Sequence, residues 1–133
     1  VTPDEAALYR RIASWSPPGS DILANPWTGG VYAGVLSGRS VVFPHMVTTN
    51  DAQRVLLMRS FDRFTTDPAV CRAVKNLHVR IVVDDSHKFD VAHSSARIAQ
   101  YPGLGHLATT PGLTLLGRSK TASVYRVGDC STQ

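Results

Sequence analysis

Apolar side chains recur at helical spacing along three segments of the chain. In the first, Leu8, Ile12 and Trp15 occupy positions i, i+4 and i+7, which predicts a helix over residues 3–16. The same spacing predicts two later helices, over residues 50–64 with Asn50 as the capping residue and over residues 68–77. Each of these helices would bury one face against a core.

Short apolar runs alternate with these helices and predict strands. The runs are residues 21–24, 40–43 and 79–83, followed by two final strands at 113–116 and 123–127 around a hairpin turn. A short apolar helix over residues 31–37 separates the first two strands. Alternating strands and helices favour βαβ units. The predicted fold is therefore α/β in three layers. It has a mostly parallel sheet of about five strands, helices on both faces and a C-terminal antiparallel hairpin.

Length and composition are those of one globular domain, residues 1–133. Hydrophobic residues make up 43% of the chain and charged residues 18%, a balance that excludes a disordered chain. No apolar run approaches the roughly 18 residues that span a bilayer. We expect a soluble domain that is a fragment of a longer protein.

The net charge of +4 adds little to the predictions of fold and function. The 14 lysines and arginines are scattered along the chain, and no basic run alternates with aromatic residues. Nucleic-acid binders usually concentrate their positive charge on one element, so we predict no nucleic-acid partner. A mildly basic surface also suits a position beside anionic lipid or an anionic polymer.

Two cysteines, Cys71 and Cys130, are far apart in the sequence and match no zinc-binding spacing. They are either two unrelated buried thiols or one disulfide. A disulfide would imply an oxidising compartment. The sequence pattern alone leaves both alternatives open.

The candidate site lies where the predicted parallel strands end, because ligands of open α/β sheets bind outside the carboxyl ends of the strands. Three segments should meet there. They are residues 25–30 after the first strand, 44–45 after the second and 84–87 after the third.

The segment 25–30 is the most unusual of the three. Thr28 could cap the following helix, while Gly29 and Gly30 would let a ligand approach the backbone. Asn25 and an exposed Trp27 could contact a sugar. The alternative is structural, with the glycines allowing a tight turn and the tryptophan packing in the core. The glycine spacing matches neither a dinucleotide-binding fingerprint nor a P-loop, so no cofactor is predicted.

Four further residues could gather into a metal site or an acid/base pair: His45, Asp84, Asp85 and His87. Acidic residues also end strands and cap the segments that follow them, and we favour this alternative. No metal and no catalytic residue are therefore predicted.

Three stretches resemble one family. They are "DILANPWTGGVYAGVLSGRSVVFPH" (21–45), "VKNLHVRIVVDD" (74–85) and "GLTLLGRSKTASVYRV" (112–127). They resemble the extracytoplasmic C-terminal region of actinobacterial multi-pass membrane proteins. Those proteins look like GT-C-class, arabinofuranosyltransferase-like glycosyltransferases that use polyprenyl-phosphate sugars. The resemblance covers about residues 4–130.

The resemblance implies a non-catalytic accessory domain at the extracytoplasmic face of the cell membrane. The transferase carboxylates of that class lie in loops between transmembrane helices, so the domain alone would not catalyse. Its partners would be the transmembrane part of its own chain and a cell-envelope glycan or polyprenyl-phosphate sugar. The resemblance also implies a Cys71–Cys130 disulfide. Two alternatives remain, a purely structural or interaction domain and an independent α/β hydrolytic or metal-dependent enzyme.

Overall fold

The computed structural model describes residues 1–43, 51–86 and 98–130. In this part of the chain, five strands form one sheet in the order β2-β1-β3-β5-β4. The strands are β1 (Asp21–Ala24), β2 (Ser40–Val41), β3 (Val79–Asp85), β4 (Leu113–Arg118) and β5 (Ala122–Val127). The mixed α/β class and the five strands agree with the sequence prediction.

The helices in these ranges are short. They are α1 (Pro3–Arg10), α2 (Ile12–Trp15), α3 (Tyr32–Ser37), α4 (Ala52–Ser60) and α5 (Pro68–Asn76), with 3-10 turns at Gly29–Val31, Phe61–Arg63, Pro102–Leu104 and Leu107–Thr109. The single helix predicted over 3–16 is interrupted at Arg11. The capping residue of α4 is Asp51 rather than Asn50, because the Asp51 side chain accepts from the Arg54 amide.

The prediction of a mostly parallel sheet is wrong. Strand β1 pairs in parallel with β2 and β3, but β5 pairs antiparallel with both β3 and β4. Most registered residue pairs are antiparallel because β4 and β5 are each six residues long, whereas β1 and β2 have only four and two. The C-terminal antiparallel hairpin is as predicted.

Two hydrophobic clusters cover the two faces of the sheet. Residues of α1, α2 and α3 pack on one face, where Tyr9 and Ile12 lie in one cluster with Ile81 of β3. Residues of α4 and α5 pack on the other, where Leu57 and Val70 lie in the cluster with Val82. Because successive side chains of a strand point to opposite faces, β3 contributes to both clusters.

A disulfide joins Cys71 of α5 to Cys130, with 5.8 Å between their Cα atoms. It ties the segment after β5 to the helix that precedes β3. The pairing implied by the resemblance is therefore confirmed. Within the described ranges, no helix has the length and apolar character needed to cross a membrane.

Candidate functional site

The loop after β1 is held by its own side chains. The Asn25 Oδ1 accepts from the Trp27 amide at 3.0 Å, and the Asn25 Nδ2 donates to the Ile98 carbonyl at 3.3 Å. Thr28 caps the next turn, since its Oγ1 accepts from the Gly30 amide at 3.3 Å and donates to the Asn25 carbonyl at 2.9 Å. Asparagine and threonine thus replace the backbone bonds that the turn lacks.

The two glycines of this loop are needed for packing. A Cβ at Gly29 would lie 2.8 Å from Oδ2 of Asp85, and one at Gly30 would lie 3.1 Å from the Ala24 Cβ. The loop therefore approaches the end of β3 more closely than a larger residue would allow. Trp27 is half-buried and packs against the hydrophobic cluster of α4 and α5. Its predicted role as a sugar contact stays a prediction.

Asp84 and Asp85 follow each other in β3 and have different environments. Asp85 is paired with Ala122 of β5, which belongs to the cluster of α1 and α3. Asp84 is paired with Ser123 and points to the opposite face. Asp84 is exposed, whereas Asp85 is 5% exposed. The two carboxylates therefore differ in exposure and in the face of the sheet from which they project.

Asp85 is hydrogen-bonded to a buried tyrosine. The Tyr9 hydroxyl donates to Oδ2 of Asp85 from α1. Burial of the phenol, reinforced by this bond and by the negative charge of Asp85, raises the pKa of Tyr9 far above its usual value. Tyr9 is therefore a neutral donor at physiological pH, and its bond fixes Asp85 under the Asn25–Gly30 loop.

The carboxylate of Asp84 is accessible at the C-terminal end of β3. Neighbouring protein atoms remove part of its hydration, and this desolvation raises the pKa of Asp84. A partly desolvated carboxylate with no ion-pair partner in the described ranges gains more from a ligand hydroxyl than a fully hydrated one does. Asp84 is thus the acidic side chain best placed to bind a ligand.

A cleft of about 210 Å³ opens at the carboxyl ends of β1 and β3. We call it the strand-end cleft, and its lining residues are Asn25, Thr28, Val83, Asp84, Asp85, Ser86, Ile98, Leu104, Gly105 and Leu107. The structure thus brings together four of the predicted site residues, from two of the three predicted segments. Trp27, Gly29 and Gly30 do not line the cleft. His45 and His87 lie outside the described residues.

Sequence reasoning missed one wall of the cleft. Ile98, Leu104 and Leu107 form an apolar wall from the segment between β3 and β4, for which the sequence analysis predicts no strand or helix. The amide of Asn25 reaches this segment at Ile98. The only sequence signal was the apolar content of residues 98–107, which did not specify where the segment packs.

Of the four residues considered as a possible metal site, only Asp84 and Asp85 lie in the described ranges. Across residues 1–43, 51–86 and 98–130, no three His, Cys, Asp or Glu side chains are grouped so that they could hold a metal ion. The cleft can accept and donate hydrogen bonds beside an apolar wall.

The sequence profile of a family of unknown function, DUF6541, matches residues 1–129. The chain belongs to this family. No curated protein matches the chain.

A solved structure resembles this member of DUF6541 in fold. It is the C-terminal globular domain of an oligosaccharyltransferase from Archaeoglobus fulgidus, with a TM-score of 0.58 and 15% sequence identity. The match covers 96% of this chain and 98% of the archaeal domain. At this identity, the similarity concerns the fold.

Proposed function

We propose that the chain is a non-catalytic accessory domain of a polytopic membrane protein of glycosyltransferase type, and that it positions a glycan or lipid-linked sugar. The observation that carries the proposal is the strand-end cleft. It joins the amide of Asn25, the carboxylate of Asp84 and the hydroxyl of Ser86 to an apolar wall. Small-molecule sites commonly combine apolar lining with a few convergent polar groups.

The chemistry of the cleft suits a sugar ring. A carboxylate and an amide can accept and donate hydrogen bonds to vicinal hydroxyls, while the carbon–hydrogen face of the ring packs against Leu104 and Leu107. The cleft is smaller than the roughly 300–1,000 Å³ of typical pockets for larger ligands. It therefore takes one sugar residue rather than an extended chain.

The environment of the acidic residues argues against catalysis by this domain. Glycoside chemistry generally needs two carboxyl groups that face each other across the scissile bond. Asp85 is buried and bound to Tyr9, on the opposite face of β3 from Asp84. Asp84, the exposed carboxylate of the strand-end cleft, acts as a binding group.

The archaeal fold similarity and the disulfide are consistent with this placement. The archaeal domain belongs to an oligosaccharyltransferase, an enzyme that transfers sugars. The Cys71–Cys130 bond fits an oxidising, extracytoplasmic location. We accordingly place the domain at the extracytoplasmic face of the cell membrane, attached to the transmembrane part of its own chain.

The test is an NMR titration of the 133-residue chain with arabinofuranose oligosaccharides and a short-chain prenyl-phosphoryl arabinofuranose. We expect amide shifts at Asn25, Asp84 and Gly105. The Asp84→Asn variant should bind about tenfold more weakly, because it loses a charge-assisted hydrogen bond. The matched control is Asp129→Asn, an exposed aspartate away from the cleft. If neither ligand shifts the cleft amides, the proposal is refuted.

A purely structural domain is the second candidate, and the Asn25–Gly30 loop favours it. Asn25 and Thr28 already hold the turn together, and Trp27 contributes to the core. Because the half-buried Trp27 packs against the cluster of α4 and α5, Trp27→Ala would lower stability under either candidate and does not separate them. Asp84→Asn separates them, since Asp84 has no hydrogen bond or ion pair within the described ranges that the substitution would break.

A further inference from the structure

Helix α3 exposes two large apolar side chains on the side that faces away from the sheet. Val35 is 83% exposed and Tyr32 is 40% exposed, so α3 supplies two of the four large apolar residues that are exposed in the described ranges. Ala33 and Gly34 of the same helix are buried, and Ala33 lies in the cluster of α1, α2 and α3. The buried side of α3 is therefore matched by an apolar outward side.

A shallow groove adjoins these side chains, between α3 and the edge strand β2. Its volume is about 510 Å³, and its lining residues are Val31, Gly34, Val35, Arg39, Ser40 and Val41. None of these residues is acidic. Asp21 is paired with Ser40, but it precedes Ile22, whose side chain lies in the cluster of α1, α2 and α3. Because successive side chains of a strand alternate, Asp21 projects from the other face of the sheet.

Arg39 gives this groove a positive charge. Its Nε donates to the Ser16 Oγ at 3.2 Å, and its Nη2 donates to the carbonyls of Ala13 and Ser16 at 3.1 and 2.8 Å. These acceptors are neutral, and Arg39 forms no ion pair within the described ranges. The guanidinium is therefore held in place without being neutralised. The same bonds place the C-terminal end of α2 beside the groove.

Two further arginines lie where α1 meets α2. Arg10 and Arg11 are exposed, and neither forms an ion pair within residues 1–43, 51–86 and 98–130. The Arg11 guanidinium lies 4.6 Å from the centre of the Trp15 ring. Helix α1 contacts α3 on the same face of the sheet, and the acidic Asp4 lies at the other end of α1.

Three guanidinium groups and two apolar side chains thus share the outward surface of these helices. We call this surface the helical face, and its residues are Arg10, Arg11, Tyr32, Val35 and Arg39.

We propose that the helical face lies on the surface of an anionic lipid bilayer. Val35 and Tyr32 enter the headgroup layer, which suits tyrosine because its ring is apolar and its hydroxyl is polar. The arginines contact lipid phosphates. A lipid surface fits better than a protein partner, because a stable protein interface needs roughly 20–30 residues on each side. A bilayer surface is recognised by a few apolar side chains flanked by cations.

The proposal goes beyond the proposed function, because it concerns the outer side of α1 and α3 rather than the strand-end cleft. It also gives the domain an orientation. With the helical face on the lipid, the sheet lies above α1 and α3, and α4 and α5 lie farther from the membrane. The strand-end cleft, at the carboxyl ends of β1 and β3, then opens along the membrane surface.

The first test is co-sedimentation of the 133-residue chain with vesicles at an ionic strength of about 0.1 M. Screening beyond about 10 Å then makes charges on the opposite face of the sheet contribute little. We expect binding to vesicles of phosphatidylcholine mixed with phosphatidylglycerol, and much weaker binding to phosphatidylcholine alone.

Each arginine near an anionic surface contributes about fivefold to the partition coefficient. The double variant R10Q/R11Q should therefore bind about 25-fold more weakly. The matched control R72Q/K75Q removes two exposed charges from α5, on the opposite face, and should bind nearly as well as the wild-type chain.

The second test places a fluorescent side chain on the helical face. Val35→Trp should show blue-shifted emission with the anionic vesicles, and brominated lipid should quench it. The matched control is Leu115→Trp, at an exposed apolar position of β4. Leu115 is paired with Tyr125, which packs against the cluster of α4 and α5, so the added tryptophan lies on the opposite face and should not respond. Trp15 and Trp27 are common to both variants.

Every other outcome overturns the proposal. Absence of binding to the anionic vesicles excludes a lipid surface and leaves a protein as the occupant of the groove. Equal losses in R10Q/R11Q and R72Q/K75Q, or equal responses of the two added tryptophans, exclude this face. A blue shift of Val35→Trp that grows with protein concentration without vesicles identifies a second copy of the chain as the occupant. No arm of the test contains a sugar, so the NMR titration of the strand-end cleft tests the proposed function separately.

Discussion

Two buried carboxylates of the described residues accept hydrogen bonds from hydroxyl groups. Glu5 is 1% exposed and accepts from Thr121, while Asp85 accepts from Tyr9. Glu5 forms no ion pair within the described ranges. A neutral donor leaves a buried carboxylate hydrogen-bonded without the desolvation penalty of a second charge.

Tyr9→Phe should lower stability and change its dependence on pH. At neutral pH we expect a loss of about 1–3 kcal/mol, because Asp85 loses a donor in a buried position. Unfolded tyrosine releases its proton near pH 10.0, whereas burial and Asp85 raise the pKa of Tyr9 in the folded chain. The folded state thus holds one more proton above that pH, and stability falls as pH rises.

The measurement is urea unfolding of both proteins between about pH 9 and about pH 11. One extra proton corresponds to about 1.4 kcal/mol of stability lost per pH unit. The wild-type curve should be steeper than the Tyr9→Phe curve by about this amount above pH 10. Tyr101, whose pKa burial also raises, is common to both proteins and cancels in the comparison. Parallel curves would contradict the raised pKa of Tyr9.

Gly29→Ala should destabilise the fold by about 1–3 kcal/mol, as overpacking in a dense site does. The added Cβ would lie 2.8 Å from Oδ2 of Asp85, a distance that forces the loop or β3 to move. Gly105→Ala is the matched control, because its Cβ would lie 3.4 Å from the nearest atom and its backbone is right-handed helical. Urea midpoints of the two variants provide the comparison. Equal midpoints would show that the loop moves away at little cost.

The sequence predicts well where an element begins when that element has a strong local signal. Strand β3 begins at Val79 as predicted, and α5 begins at Pro68 after its capping Asp67. The predicted strand over 40–43 is only two residues long, because pairing with β1 is registered only at Ser40 and Val41. Apolar side chains at Val42 and Phe43 are buried in the core without extending the ladder. Burial and strand pairing give the same apolar pattern, so the sequence does not separate them.

Reducing the disulfide should destabilise the chain by about 4 kcal/mol in the chain-entropy model, because the bond closes a loop with a sequence separation of 59. The double variant Cys71→Ser with Cys130→Ser should lose a comparable amount, and added reductant should not destabilise it further. Urea unfolding with and without reductant measures the effect. A thiol titration of the unreduced, denatured protein should give no free thiol, and two free thiols would contradict the bond.

For the molecule as a whole, the sequence predicts that the candidate site lies at the carboxyl ends of the strands. It does not predict every segment that lines the cleft. Strands β1 and β3 are parallel, so their carboxyl ends meet and bring Asn25 and Asp84 to one cleft. The row of Asp84, Ser123 and Arg118 across three strands needs the register of β5 between β3 and β4. That register depends on which strand the hairpin pairs with, a long-range choice that no local pattern of apolar residues records.

The two clusters on opposite faces of one sheet predict a single cooperative unfolding unit. Leu57 and Ile12 are fully buried, one in each cluster. Leu57→Ala and Ile12→Ala should each cost about 2–5 kcal/mol, from lost burial and the cavity left behind.

Because the sheet separates the two sites, the costs should add to within about 0.5 kcal/mol in the double variant. Since β3 supplies side chains to both clusters, the two faces of the sheet should lose their structure in one transition. Tryptophan fluorescence and far-UV circular dichroism should therefore follow the same urea transition in every variant. Separate transitions for the two probes would show that the two faces of the sheet unfold independently.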